Sequence, residues 1–89
     1  MVTEAMAHAG RMAGLDAELA DRLARATVAG AGEMLHQSPL PAATLRENVT
    51  SKGGTTAAAL QVLMGPHGLK DLMTEAIAAA TRRSQELAG

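Results

Sequence analysis

The chain has 89 residues, no Phe, Tyr, Trp or Cys, and a formal net charge of −1. These figures allow one small domain and exclude disulfides, a thiolate metal site and the basic face that phosphate-backbone binding requires. Hydrophobic residues make up 47% of the chain, yet a core of Leu, Val, Ile, Met and Ala alone is thin for a domain that buries only about 60% of its unfolded surface, so part of the apolar surface is expected to lie against another chain.

In chain order, "TEAMAHAGRMA" predicts a short helix over about 3–13, with Thr3 as N-cap and Gly14 just past its end. It is too short to be stable alone. A longer helix is predicted over about 16–37. Asp16 is its N-cap, and Leu15 precedes it as a hydrophobic staple. Leu19, Leu23, Ala26, Thr27, Gly30 and Met34 recur at three- and four-residue spacing and define its apolar face. Gly30 and Gly32 each cost about 1 kcal/mol against Ala; they are either two tolerated glycines or, the favoured expectation, a place where another helix approaches closely. Pro39 ends this helix. Pro41 opens a short one over about 41–49.

Then comes "VTSKGGTTAAAL", residues 49–60. From about Thr55 to Met64 the pattern is apolar on nearly all sides, which predicts a buried helix. "GPHG" breaks the chain at 65–68. The last helix is predicted over about 69–87, with Leu69, Leu72, Met73, Ile77, Ala80 and Leu87 toward a core and Glu75, Arg82, Arg83, Gln85 and Glu86 wet. No strand alternation, internal repeat or sustained heptad occurs, so the expected fold class is all-α.

Gly53 and Gly54 stand at the mouth of the Thr55 helix, whose first amides have no intrahelical acceptor. Glycines let a ligand approach that backbone closely, and the helix dipole adds partial positive charge. A small carboxylate or phosphate suits such a place, and Ser51, Thr55 and Thr56 add hydroxyl donors. The alternative is that Ser and Thr cap and the glycines turn, with no ligand. The stretch is neither a P-loop, since Lys52 precedes the glycines, nor a dinucleotide fingerprint, since no strand comes before it.

The stretch "ENVTSKGGTTAAALQVL" resembles the signature of pyrroline-5-carboxylate reductases, Val-Thr/Ser-Ser-Pro-Gly-Gly-Thr/Ala-Thr followed by a buried helix. "EAMAHAGRMAGLDAELADRLARATVAGAGEML" is similar to that family's upstream helices, and "GLKDLMTEAIAAATRRSQEL" to its last helix. The resemblance covers nearly the whole chain. It implies one all-helical domain over 1–89, of four to five helices interleaved with those of a second copy, in a family whose dimers assemble further into larger rings. The chain then reads as the C-terminal portion of a reductase that converts 1-pyrroline-5-carboxylate to L-proline.

By that resemblance, Ser51 and the backbone at Gly53, Gly54 and Thr55 take the substrate carboxylate. Thr56 sits beside the ring nitrogen and assists its protonation. Asn48 lies toward the nicotinamide end. Two departures stand out. Lys52 replaces the usual proline, which frees a fixed φ and adds a charge. The family's nucleotide-binding Rossmann domain has no counterpart in these residues, so NADPH or NADH has nothing here to hold it, and the chain by itself is expected not to turn over.

His8, His36 and His67 lack metal-ligand spacing, so no metal site is expected. Asn48-Val-Thr50 matches a glycosylation sequon, but Glu4, His8 and Arg11 interrupt any leader-like apolar run. No stretch approaches the roughly 20 apolar residues of a membrane span. The expected location is the cytoplasm, with no nucleic-acid or membrane partner. Arg82-Arg83 reads as a solvated pair near a helix end, and the six Met residues read as core filler. Beside the reductase reading stand a helical dimerisation module without catalysis and a small-carboxylate binding protein using the same glycines.

Overall fold

A computed structural model of the protein describes residues 1–51 and 53–89. Among the described residues there are five helices and no strand: α1 (Val2–Met12), α2 (Ala17–Gln37), α3 (Ala42–Asn48), α4 (Thr55–Leu63) and α5 (Leu69–Ala88). The expected all-α class is what the chain adopts. The helices fall into two compact bodies, Met1–Ala42 and Ala43–Gly89.

The first body is the hairpin of α1 and α2. Helix α1 begins one residue earlier than expected; its N-cap is Met1, with no side-chain hydrogen bond, so Thr3 lies inside the first turn and is not the cap. The Met1 amine lies 3.3 Å from the Glu4 carboxylate, an exposed pair that contributes little. Its other end closes as a Schellman motif: Gly14 N–H donates to the Arg11 carbonyl and Leu15 N–H to the Gly10 carbonyl, each at 3.0 Å. Gly14 sits at φ +107°, a conformation that favours glycine. Asp16 then caps α2 as expected, its carboxylate accepting from Leu19 N–H at 3.4 Å.

Packing within the hairpin departs from the expected face. The buried residues are Ala7, Ala20 and Ala24, displaced by one position from the Leu19, Leu23 and Met34 stripe, which stays exposed. Small side chains bring the helices close. A Cβ placed at Gly10 would lie 3.3 Å from both the Ala20 Cβ and the Leu15 Cδ1. Gly30 and Gly32 face open space within 4 Å, so the close approach expected over them is not made within this first body. Helix α2 ends at Ser38, whose hydroxyl accepts from Leu40 N–H at 3.2 Å.

The second body holds α4, α5 and all of α3 but its first residue. Its boundaries match the expected ones within a residue or two, and the "GPHG" break is a turn with His67 at φ +59°. Asp71, in the first turn of α5, stabilises that turn by accepting from His67 N–H at 3.2 Å. No described residue of this body is buried. Helix α4, expected to be buried all round, has only Ala57 and Leu60 half-buried. Leu69, Leu72, Met73, Ile77 and Leu87 of α5 are exposed where a core was expected. The methionines likewise do not fill a core, since all six are exposed. The physical reason is common to these departures: the apolar side chains are arranged on helix faces that the described residues of the same body leave exposed.

Candidate functional site

The candidate site is built where α3 ends and α4 begins. Thr50 follows α3 and is tied back to it, its hydroxyl donating to the Arg46 carbonyl at 2.6 Å. Ser51 then opens a tight turn in which Gly54 N–H donates to the Ser51 carbonyl at 3.1 Å. Gly53 takes φ +76°, a left-handed conformation that an L side chain adopts only at a cost. Gly54 is the N-cap of α4 in extended geometry, and no side chain caps the helix. The chain at Gly54 is close-packed: a Cβ there would lie 2.6 Å from the Ser51 Oγ. Lys52 lies outside the described residues.

Several of the expected residues are therefore brought together. Ser51 packs its hydroxyl against the backbone of Gly54, and Thr55 and Thr56 follow as the first two residues of α4. Gly54 N–H is already engaged by the turn, which leaves Thr55, Thr56 and Ala57 as the first-turn amides without an acceptor among the described residues. Sequence reasoning did not single out Ala57, although its place in the first turn was available once the helix start was known. The Thr55 and Thr56 hydroxyls also make no hydrogen bond among the described residues, in contrast to Thr27, Thr50, Thr74 and Thr81, each bonded to the carbonyl four residues before it. Threonine in a first turn lacks that helical carbonyl, so its hydroxyl stays available. Asn48 is the last residue of α3 and is exposed.

Chemically, this is an uncapped helix start with open amides, hydroxyls on either side and a backbone stripped of Cβ atoms. It is suited to a small anion. It offers no general base of the carboxylate or imidazole kind. No group of three metal-ligating side chains occurs among the described residues.

A second feature lies on the same body. Leu60, Leu63 and Met64 at the end of α4 and Leu69 and Met73 on α5 line an open apolar groove of about 610 Å³, with Arg46 and Lys70 also at its walls. No described helix is long and apolar enough to cross a membrane.

Open apolar faces on an all-helical fold are what an assembly domain presents. Residues 1–87 match the family model for pyrroline-5-carboxylate reductase dimerisation. The chain is 47% identical over 85 residues to the pyrroline-5-carboxylate reductase of Pasteurella multocida, covering 94% of this chain and 30% of that protein. It is 41% identical over 87 residues to the one of Synechocystis, covering 98% and 32%, and 41% identical over 88 residues to the one of Pseudomonas aeruginosa, covering 99% and 32%. The chain belongs to the pyrroline-5-carboxylate reductase dimerisation family. It spans about a third of the length of these curated relatives.

Proposed function

We propose that residues 1–89 act as one dimerisation and substrate-binding domain of a pyrroline-5-carboxylate reductase, in the reduction of 1-pyrroline-5-carboxylate to L-proline. The observation that carries this reading is the family match over residues 1–87. The start of α4 supports it, because the substrate is a small cyclic carboxylate.

The substrate carboxylate lies at the N-terminus of α4, taking hydrogen bonds from the amides of Thr55, Thr56 and Ala57 and from the Ser51 hydroxyl. Gly53 and Gly54 keep side chains out of its path. The Thr56 hydroxyl is directed to the ring nitrogen. It holds a hydrogen bond there and assists protonation of that nitrogen as the imine becomes an amine. Asn48 is assigned to the end of the site where the nicotinamide approaches. The partner is a second copy of the chain, seated on the exposed apolar faces, with Gly30 and Gly32 admitting one of its helices closely; these dimers assemble into larger rings.

A nicotinamide cofactor, NADPH or NADH, supplies the hydride in this reaction. The described residues contain no strand and so no strand-to-helix phosphate turn that would hold it. The part assigned to these residues is assembly, carboxylate binding, the proton and, at Asn48, the nicotinamide end of the site.

The test is an amide-resolved NMR titration with L-proline, with the oligomeric mass recorded on the same sample. Saturable shifts centred on Gly53 to Ala57 in a dimer are expected. A stable dimer without shifts there would reduce the glycines and threonines to a turn and a cap. A second assay follows NADPH consumption with the imine and the purified 89-residue chain. No turnover is expected, and sustained consumption would overturn the division of labour just described.

A further inference from the structure

We infer that residues 43–89 fold only as part of the dimer, so that separating the two copies melts α3, α4 and α5 together with the candidate site that α4 carries. The inference rests on the dimer reading above and adds to it that no folded single copy of this body persists.

The argument begins with exposed surface. The protein exposes 7321 Å². Two separate compact bodies, each of about half its 9.1 kDa mass, would together expose about 5,900 Å². The excess, about 1,400 Å², is of the size one partner contributes to an obligate dimer interface, roughly 1,000–2,500 Å² a side. It is not spread evenly. The three buried residues, Ala7, Ala20 and Ala24, all belong to the first body. In 43–89 no described residue is buried, and Val62 and Ile77 are 75% and 64% exposed.

Local structure does not make up the difference. Helices α3 and α4 have seven and nine residues, well below the roughly 12–15 at which an isolated helix becomes even marginal in water. Helix α4 has no side-chain cap, and neither has α5. The ion pair on α5, Arg83 to Glu86 at 3.1 Å, is exposed, and pairs of that kind contribute little. Helices α3 and α4 are held by neither length nor burial, and α5, though 20 residues long, has no buried face, so the surface that covers them must hold them. A second copy is the occupant that the family match designates, and the apolar groove lined by Leu60, Leu63, Met64, Leu69 and Met73 is where such cover is most needed.

The experiment is a dilution series of the 89-residue protein, with native mass spectrometry for the dimer fraction, far-ultraviolet circular dichroism for helix and hydrogen exchange for location. Helices α3 to α5 hold 36 of the 68 helical residues. The expected result is that at least about half of the helical signal disappears in step with the dimer, and that amides of α4 and α5 lose protection at the same concentration. Ile77→Lys, which places a charge on the face to be covered, is expected to lower the dimer fraction and the helical signal together at a concentration where the parent protein is dimeric. A monomer that keeps α4 and α5 protected, reached by dilution or through Ile77→Lys, overturns the inference. If the parent protein is a helical monomer at every concentration, the dimer proposal falls with it; a dimer that dissociates into helical monomers overturns this inference alone.

Discussion

At the scale of single residues, the turn before α4 and the turn before α5 are governed by where a Cβ fits. At Gly54 a Cβ would fall 2.6 Å from the Ser51 Oγ, which relieves the contact by rotating away from the helix start, and 3.3 Å from the Ser51 carbonyl oxygen, which must shift slightly. Gly54→Ala is therefore expected to leave the dimer's melting temperature nearly unchanged while weakening L-proline binding on the order of tenfold, or about 1.4 kcal/mol; calorimetric titration reads the affinity and thermal denaturation the stability. His67 presents the opposite case. It occupies a left-handed conformation, φ +59°, that a residue with a Cβ adopts at a cost of about 1–2 kcal/mol. His67→Gly removes that cost but raises the entropy of the unfolded chain, so a net gain of roughly 0.5–1 kcal/mol is expected in chemical denaturation. The glycines at 53 and 54 were legible as a turn from the sequence because residue type alone carries that signal. The strain at His67 was not, since histidine, though enriched at positive φ, adopts it in only a small minority of cases, and here the short span between α4 and α5 imposes it.

At the scale of elements, the helix ends were largely readable and the buried faces were not. Asp16, Gly14, Pro39 and the "GPHG" turn mark boundaries through local chemistry, and local chemistry is contained in the sequence. Asp16→Ala removes the cap that Leu19 N–H donates to and is expected to cost about 1 kcal/mol in a thermal melt followed by circular dichroism. Which face a helix buries depends instead on what lies opposite. The periodic stripe of α2 pointed to Leu19, Leu23 and Met34, yet the hairpin is closed by Ala7, Ala20 and Ala24, because small residues let the two helices approach without long side chains between them. Gly10 belongs to that contact, with 3.3 Å between its built Cβ and the Ala20 Cβ. Gly10→Val is expected to push the helices apart and to destabilise by about 1–3 kcal/mol, measured as a loss of protection of the α1 amides in hydrogen exchange. An unchanged protection pattern would mean that the hairpin contact is looser than its geometry states. The site followed the same division: its helix start was legible, while the engagement of the Gly54 amide by Ser51 belongs to the turn's three-dimensional closure and had no sequence signal.

At the scale of the whole molecule, stability is tied to assembly. A chain in which three alanines are the buried core among the described residues has little apolar burial of its own, so the free energy that holds its helices must come from the surface it shares. For such a protein the unfolding midpoint is a function of concentration, because dilution favours the separated, unfolded chains. Each tenfold dilution shifts a dimer's stability by about 1.4 kcal/mol, which for a two-chain unit of this size corresponds to roughly 3–6 °C in melting temperature. Thermal melts of the 89-residue protein over a hundredfold range of concentration are therefore expected to move by about twice that interval, in one cooperative transition. A self-sufficient monomer gives a midpoint that does not move. The same linkage reaches the candidate site: L-proline bound at the start of α4 raises the midpoint only by binding the folded dimer, so at a fixed ligand concentration the concentration dependence should persist, displaced upward. A ligand-induced rise that is the same in a monomeric variant would separate the site from the assembly and show that α4 keeps its structure without a partner.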